Sequence, residues 1–155
     1  MRAGSNAFLF LRVFLFAAAV PYLMRLKLAR LAAVLEPGSE PVPVDSDRIQ
    51  DIAAYVQSAI VRGRPLVRPG CLTLGLTRYY FFRRAGLDVS LHFGMGRIGE
   101  NGDFVGHCWL VRDGVPYLET QDPRPLYVEM YYISREDSRK PGQANAIGMG
   151  RLTDL

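Results

Sequence analysis

A chain of 155 residues that is 49% hydrophobic and 22% charged can bury one modest core, which excludes wholesale disorder. Its formal net charge of +4 is concentrated at one end, since residues 1–35 hold five of the 19 basic residues and none of the 15 acidic ones. The rest of the chain is nearly neutral and has no stripe of Lys and Arg interleaved with aromatic residues, so nucleic-acid binding is not expected. Two cysteines at unrelated positions are too few for a disulfide framework, which favours a reducing, cytoplasmic location.

Residues 7–35 form an almost continuous apolar stretch that is interrupted by Arg12 and Pro21. A transmembrane helix needs about 20 apolar residues, and these interruptions leave only a short uncharged run. A secretory signal is disfavoured, because Arg12 would lie inside its apolar region and no small-x-small cleavage site follows it. The interruptions favour a pair of helices, broken near Pro21, that packs on the domain, on a partner or in the headgroup layer of a membrane. A membrane segment or a cleaved signal is the alternative.

The composition divides the chain into four parts. The apolar, basic extension of residues 1–35 is followed by a linker, residues 36–44, that is rich in Pro and Gly. A domain is expected over residues 45–133, and a flexible tail over residues 134–155. The domain begins with an amphipathic helix, since apolar residues recur at helical spacing between the cap candidate Asp45 and Gly63.

Cys71 follows a Pro-Gly breaker and begins an apolar helix that runs to Arg84 and is stopped by Gly86. The first turn of a helix presents unpaired N–H groups and the positive end of the helix dipole. A thiolate is stabilised there, and the same N–H groups can receive an oxyanion. Cys71 is therefore a candidate nucleophile. The alternative is a small buried apolar residue, which is the commoner situation for a cysteine considered alone.

After Gly86 the hydrophobic pattern changes to period two. Val89, Leu91, Phe93 and Met95 predict one strand whose apolar face lies on the core, residues 99–103 a turn, and residues 104–111 a second strand.

This second strand carries His107, a candidate general base, for which a hydrogen-bonded core histidine is an equal alternative. His92 has no evident carboxylate partner and is interpreted as a surface or satisfied residue. Cys71, His107 and Cys108 lack the paired ligand spacing of a zinc site, so a metal is not expected. A cysteine nucleophile with a histidine base needs no other cofactor, so none is expected.

Two hairpin registers lead to two candidates for the carboxylate that orients His107. A three-residue loop over residues 112–114 would place Glu119 opposite His107, with both side chains on one face. A two-residue loop over residues 113–114 would place Thr120 there and turn Glu119 away, because a slip of one residue exchanges the faces. Asp122 would then be the better candidate.

One more strand is predicted over residues 126–133. Its tyrosines, Tyr127, Tyr131 and Tyr132, could line a peptide groove, although packing within the sheet is the favoured interpretation.

Together these motifs resemble a known family. They are Cys71 at the start of a long apolar helix ending in Arg-Arg-Ala-Gly-Leu-Asp (residues 83–88), a strand ending in Gly-Met-Gly (94–96), and His-Cys-Trp-Leu-Val-Arg-Asp-Gly (107–114). The sequence resembles the transglutaminase-like leader peptidases of lasso-peptide biosynthesis, in the short form whose leader-recognition domain is a separate polypeptide. The resemblance covers about residues 45–133. The family usually has Ala at the position of Cys108 and commonly Asp at that of Glu119.

This resemblance implies an α+β fold with a papain-like core, in which the helix bearing the cysteine packs on a small antiparallel sheet. It implies that Cys71 is the nucleophile and His107 the base of a Cys-His-acid triad that cleaves the leader from a precursor peptide. The implied partners are this precursor, a separate leader-recognition protein and an ATP-dependent ring-forming synthetase. Two other functions stay open: a catalytically silent peptide-binding scaffold, and a transglutaminase or amidase acting on side-chain amides.

Overall fold

The computed structural model describes residues 2–36, 43–97 and 103–135. They belong to two compact units that divide between Val89 and Ser90. The described part of the first unit contains four helices: α1 (Arg2–Leu23), α2 (Leu28–Leu35), α3 (Ser46–Arg62) and α4 (Cys71–Arg84). That of the second contains four strands: β1 (Ser90–Arg97), β2 (Phe104–Arg112), β3 (Val115–Tyr117) and β4 (Val128–Ile133). The α+β class is confirmed.

Helix α1 packs against α3 and α4 through one side. Val13, Ala17 and Val20, spaced four and three residues apart, are buried on that side. The ring of Phe16 also stacks on that of Tyr80, with centroids 4.1 Å apart. The helix continues through Pro21, so the break between the two apolar helices comes after the proline, at residues 24–27. By length and composition alone, Asn6–Leu23 is long and apolar enough to cross a membrane.

Helix α3 has the predicted bounds, because Asp45 caps it and Gly63 ends it. The Asp45 carboxylate accepts hydrogen bonds from the Asp47 and Arg48 N–H groups, which lack an acceptor inside the helix. Helix α4 is buried on several sides, as its apolar sequence predicts. It is the central helix of its unit, in contact with α1, α2 and α3.

A polar joint connects the end of α2 to α4. The Tyr79 hydroxyl donates to the Glu36 carboxylate, and the Arg83 guanidinium lies 3.4 Å from the same carboxylate. Arg84 donates to the carbonyl of Leu35, over a distance of 3.0 Å. Burial and, next, the bond to Glu36 raise the pKa of Tyr79, whereas burial lowers the pKa of Arg84.

The second unit is an antiparallel sheet in the order β3-β2-β1-β4. Leu91 is buried as the alternation predicts, but Met95 is 42% exposed, so the predicted core face is wrong at the end of β1. The pairing of β1 with β4 shifts register between Phe93 and Gly94, and from there the glycines are the buried residues.

Two predicted segments, the turn at residues 99–103 and the tail at residues 134–155, lie almost entirely outside the described residues. The division of the chain into extension, linker, domain and tail stays a prediction.

Candidate active site

Cys71 is the first residue of α4. The cap residue, Gly70, has no side chain to bond the first turn, and the earliest helical bond runs from the Leu74 N–H to the Gly70 carbonyl. The N–H groups of residues 71–73 therefore have no acceptor inside the helix. Cys71 is a partly exposed residue, whereas Cys108, the second cysteine, is buried. Of the two cysteines, only Cys71 combines a helix N-terminus with access from solvent.

His107 lies on β2 in the second unit, and its Nε2 atom is 3.2 Å from the Glu119 carboxylate. Both side chains are partly exposed, at 24% and 20% of their surface. A carboxylate accepts from an N–H group, so the bond favours the tautomer protonated at Nε2. Nδ1 then carries the lone pair and is the ring nitrogen that can take up a proton.

Glu119 reaches His107 by a route that neither predicted register describes. Arg112 pairs with Val115, so the hairpin has the two-residue loop and the three-residue alternative is wrong. The loop residues, Asp113 and Gly114, both have positive φ, as a tight hairpin turn requires. Continued pairing would turn Glu119 away from His107, but β3 ends at Tyr117 and Leu118 has a φ of 60°. Because Leu118 has a left-handed backbone conformation, side chains after it no longer alternate as in a strand. The Glu119 side chain therefore lies on the same side as the His107 imidazole.

Asp122, the other candidate acid, is bound by Arg124. The Arg124 guanidinium lies 2.6 Å from one carboxylate oxygen, and the Arg124 backbone N–H lies 3.0 Å from the other. These bonds hold the pKa of Asp122 below its usual range. The carboxylate that the structure brings to His107 is that of Glu119.

The His107 imidazole packs beside two aromatic rings, those of Trp109 and Tyr127. Its centroid lies 6.0 Å from that of the Trp109 indole, nearly parallel to it, and 5.0 Å from the Tyr127 ring. Gly94 pairs with His107 across the sheet and leaves space for these rings. A Cβ atom on Gly94 would lie 2.8 Å from the indole and 3.0 Å from Tyr127. The glycine is therefore part of the packing that fixes the imidazole.

The sequence analysis missed a second pair of imidazole and carboxylate. His92 on β1 bonds through Nδ1 to Glu129 on β4, and its Nε2 lies 2.7 Å from the Ser90 hydroxyl. The His92 ring stacks with the same indole, and its centroid lies 6.0 Å from that of Trp109. The available signal was Glu129, an acidic residue in an aromatic strand. The pairing itself depends on the register shift between β1 and β4.

A cleft of about 340 Å³ lies beside His107 within the second unit. Its lining combines the imidazole and Glu119 with polar and apolar side chains, namely Thr120, Gln121, Asp122, Pro123, Leu126 and Tyr127. Of the three tyrosines considered for a groove, Tyr127 lines this cleft. Tyr131 and Tyr132 pack on Phe93 and His92 within the sheet. Among the described residues, no group of three or more His, Cys, Asp and Glu side chains is placed to hold a metal ion.

In a comparison with known protein families, residues 12–131 match the model of the Transglutaminase-like superfamily. This match covers more than half of the chain and includes Cys71, His107 and Glu119. No curated protein and no solved structure matches the chain.

Proposed function

The chain belongs to the transglutaminase-like superfamily, which includes cysteine peptidases and transglutaminases, and we propose that it is a cysteine peptidase. Cys71 is the proposed nucleophile, His107 the general base and acid, and Glu119 the residue that orients the imidazole. The observation that carries the proposal is the bond between His107 Nε2 and the Glu119 carboxylate, at the edge of a cleft. It leaves Nδ1 to exchange a proton with the thiol.

The proposed reaction has two steps. In the first, Nδ1 takes the thiol proton, the Cys71 sulfur attacks the scissile carbonyl, and the N–H groups at the start of α4 receive the oxyanion. The tetrahedral intermediate collapses to a thioester as His107 donates the proton to the leaving amine. In the second, His107 takes a proton from water, the hydroxide attacks the thioester, and the acid product leaves as the thiol is reprotonated.

The proposed substrate is a ribosomally made precursor peptide from which the enzyme removes the leader, as in lasso-peptide maturation. Two features support it: the resemblance of residues 45–133 to the leader peptidases, and a cleft beside His107 that is lined by both polar and apolar side chains. The proposal includes a cytoplasmic location, a separate leader-recognition protein that delivers the precursor, and an ATP-dependent synthetase that closes the ring afterwards.

Incubation of the full chain with precursor and recognition protein, followed by mass spectrometry, tests this function. We expect the wild-type chain and Cys108→Ala to release leader and core peptide, and Cys71→Ala to release neither. Cys108→Ala is the matched control, because it removes the other thiol from a buried position. Cleavage by Cys71→Ala would contradict the assignment of the nucleophile.

The same assay separates the two alternative functions. A scaffold would support maturation by the other enzymes with Cys71→Ala as well as with the wild type. A transglutaminase would join an added primary amine to a glutamine side chain of the peptide, through the same thioester, and leave the backbone intact. We expect a free leader carboxylate, even with amine present.

A further inference from the structure

The side of α1 that faces away from α3 and α4 is apolar and open to solvent. Phe8, Leu11, Leu15 and Tyr22 are 62%, 51%, 58% and 67% exposed, and their spacing of three, four and seven residues places them along one side of the helix. This side lies opposite the buried Val13, Ala17 and Val20. We call these four residues the outer face of α1. A continuous apolar face of this kind marks an interaction surface.

Cations border the outer face of α1. The Arg12 guanidinium lies over the Phe8 ring at 5.8 Å, and that of Arg25 over the Tyr22 ring at 5.5 Å. Arg12, Arg25, Lys27 and Arg30 are all exposed, and residues 1–35 contain no acidic residue to neutralise them. Long cationic side chains at the rim of an apolar face, with aromatic rings beside them, match the layered chemistry of a membrane surface.

From this arrangement we propose that the outer face of α1 docks on the surface of an anionic phospholipid bilayer. The apolar side chains enter the boundary between headgroups and acyl chains, and the cations contact lipid phosphates. The helix lies along the surface, because spanning would strip Val13, Ala17 and Val20 from their contacts and carry Arg12 into the hydrocarbon layer. This binding goes beyond the peptidase function and does not depend on it.

Flotation of the full chain with vesicles tests the proposal. We expect binding to vesicles of phosphatidylglycerol and phosphatidylcholine, weak binding to phosphatidylcholine alone, and release at high salt. Loss of three cations, in Arg12→Gln/Arg25→Gln/Lys27→Gln, should lower the partition coefficient on the order of 100-fold, since each basic residue contributes about fivefold. The control with the same net charge, Arg48→Gln/Arg62→Gln/Arg68→Gln, alters exposed cations outside residues 1–35 and should bind almost as wild type.

Two double variants test how much the apolar side chains of the outer face contribute to vesicle binding. Leu11→Ser/Leu15→Ser should greatly weaken vesicle binding, whereas Val61→Ser/Leu66→Ser, at 62% and 67% exposed positions of the same unit, should not. Both pairs lie on the surface, and circular dichroism checks that each variant folds. Equal binding by all four variants would overturn the proposal. A bound form that alkaline carbonate cannot extract would overturn it too, because resistance to extraction indicates a helix that spans the membrane. Self-association that Leu11→Ser/Leu15→Ser abolishes, without vesicle binding, would overturn it in favour of a protein partner.

Discussion

The hydrogen bond from His107 to Glu119 fixes which nitrogen of the imidazole can act as a base. Without the carboxylate, the ring can rotate and exchange tautomers, and Nδ1 is no longer held in one direction. Glu119→Ala should therefore lower kcat/KM by about 100-fold or more, and Glu119→Asp should restore part of the loss. Asp122→Asn, which changes the carboxyl bound by Arg124, should stay within about threefold of wild type. Peptide cleavage followed by mass spectrometry measures all three, and a loss with Asp122→Asn equal to that with Glu119→Ala would contradict this role.

Gly94 controls the space beside the same imidazole. An added Cβ would come within 2.8 Å of the Trp109 ring, so Gly94→Ala should destabilise the fold by roughly 1–3 kcal/mol and reduce cleavage. Gly106→Ala is the matched control on β2, where the nearest atom to an added Cβ is the Met95 sulfur at 3.7 Å. Urea unfolding measures both variants. Equal stability of the two would show that the indole moves aside without cost.

The turn after β3 is the element that delivers Glu119. Leu118 has positive φ, which costs a residue other than glycine about 1–2 kcal/mol, and its 45% exposed side chain has little packing to lose. Leu118→Val, which strongly disfavours this conformation, should extend the chain, turn Glu119 away and lower kcat/KM on the order of 10- to 100-fold. Leu118→Asn, which adopts positive φ readily, should keep most of the activity. Equal loss in both variants would indicate a side-chain contact instead.

We expect the fold to lose stability at high pH because of Tyr79, which bonds to Glu36 in the joint between α2 and α4. The folded state raises the pKa of Tyr79 above its ordinary value of about 10, so the stabilisation is complete below that pH and is lost as the pH rises further. Unfolding by urea at several pH values should show a steeper decline for wild type than for Tyr79→Phe above about pH 10. Tyr22→Phe, at a 67% exposed position, should decline as wild type does. Parallel curves for Tyr79→Phe and wild type would contradict the assignment.

The hydrophobic periodicity of the sequence predicted the helix and the strand that hold Cys71 and His107. Contacts between separate elements were harder to predict from the sequence. The helix from Cys71 and the strand with His107 have the predicted places, because caps, breakers and alternation are local signals. The contact of Glu119 with His107 could not be predicted from the sequence, because it depends on the positive φ of Leu118. Leucine rarely adopts positive φ, so nothing in the sequence indicated a turn at this position. The pairing of His92 with Glu129 depends on an irregular register that no single strand encodes.

Over the chain as a whole, positive charge is concentrated at one end. The first 35 residues hold an excess of cations and the outer face of α1, and the remaining residues, nearly neutral, hold the proposed catalytic groups. The motifs around Cys71 and His107 predicted a transglutaminase-like fold, and the superfamily match over residues 12–131 confirms it. These motifs do not identify the proposed peptide substrate, because the selectivity of a site depends on the side chains that line its cleft, here the one beside His107.

The proposed peptidase mechanism requires that the His107 imidazole accept the proton of the Cys71 thiol. The most direct test is the alkylation rate of Cys71 by iodoacetamide at neutral pH, measured by mass spectrometry in a Cys108→Ala background. Imidazole promotes formation of the reactive thiolate, so His107→Ala should slow alkylation on the order of tenfold. Equal rates with and without the imidazole would contradict the account.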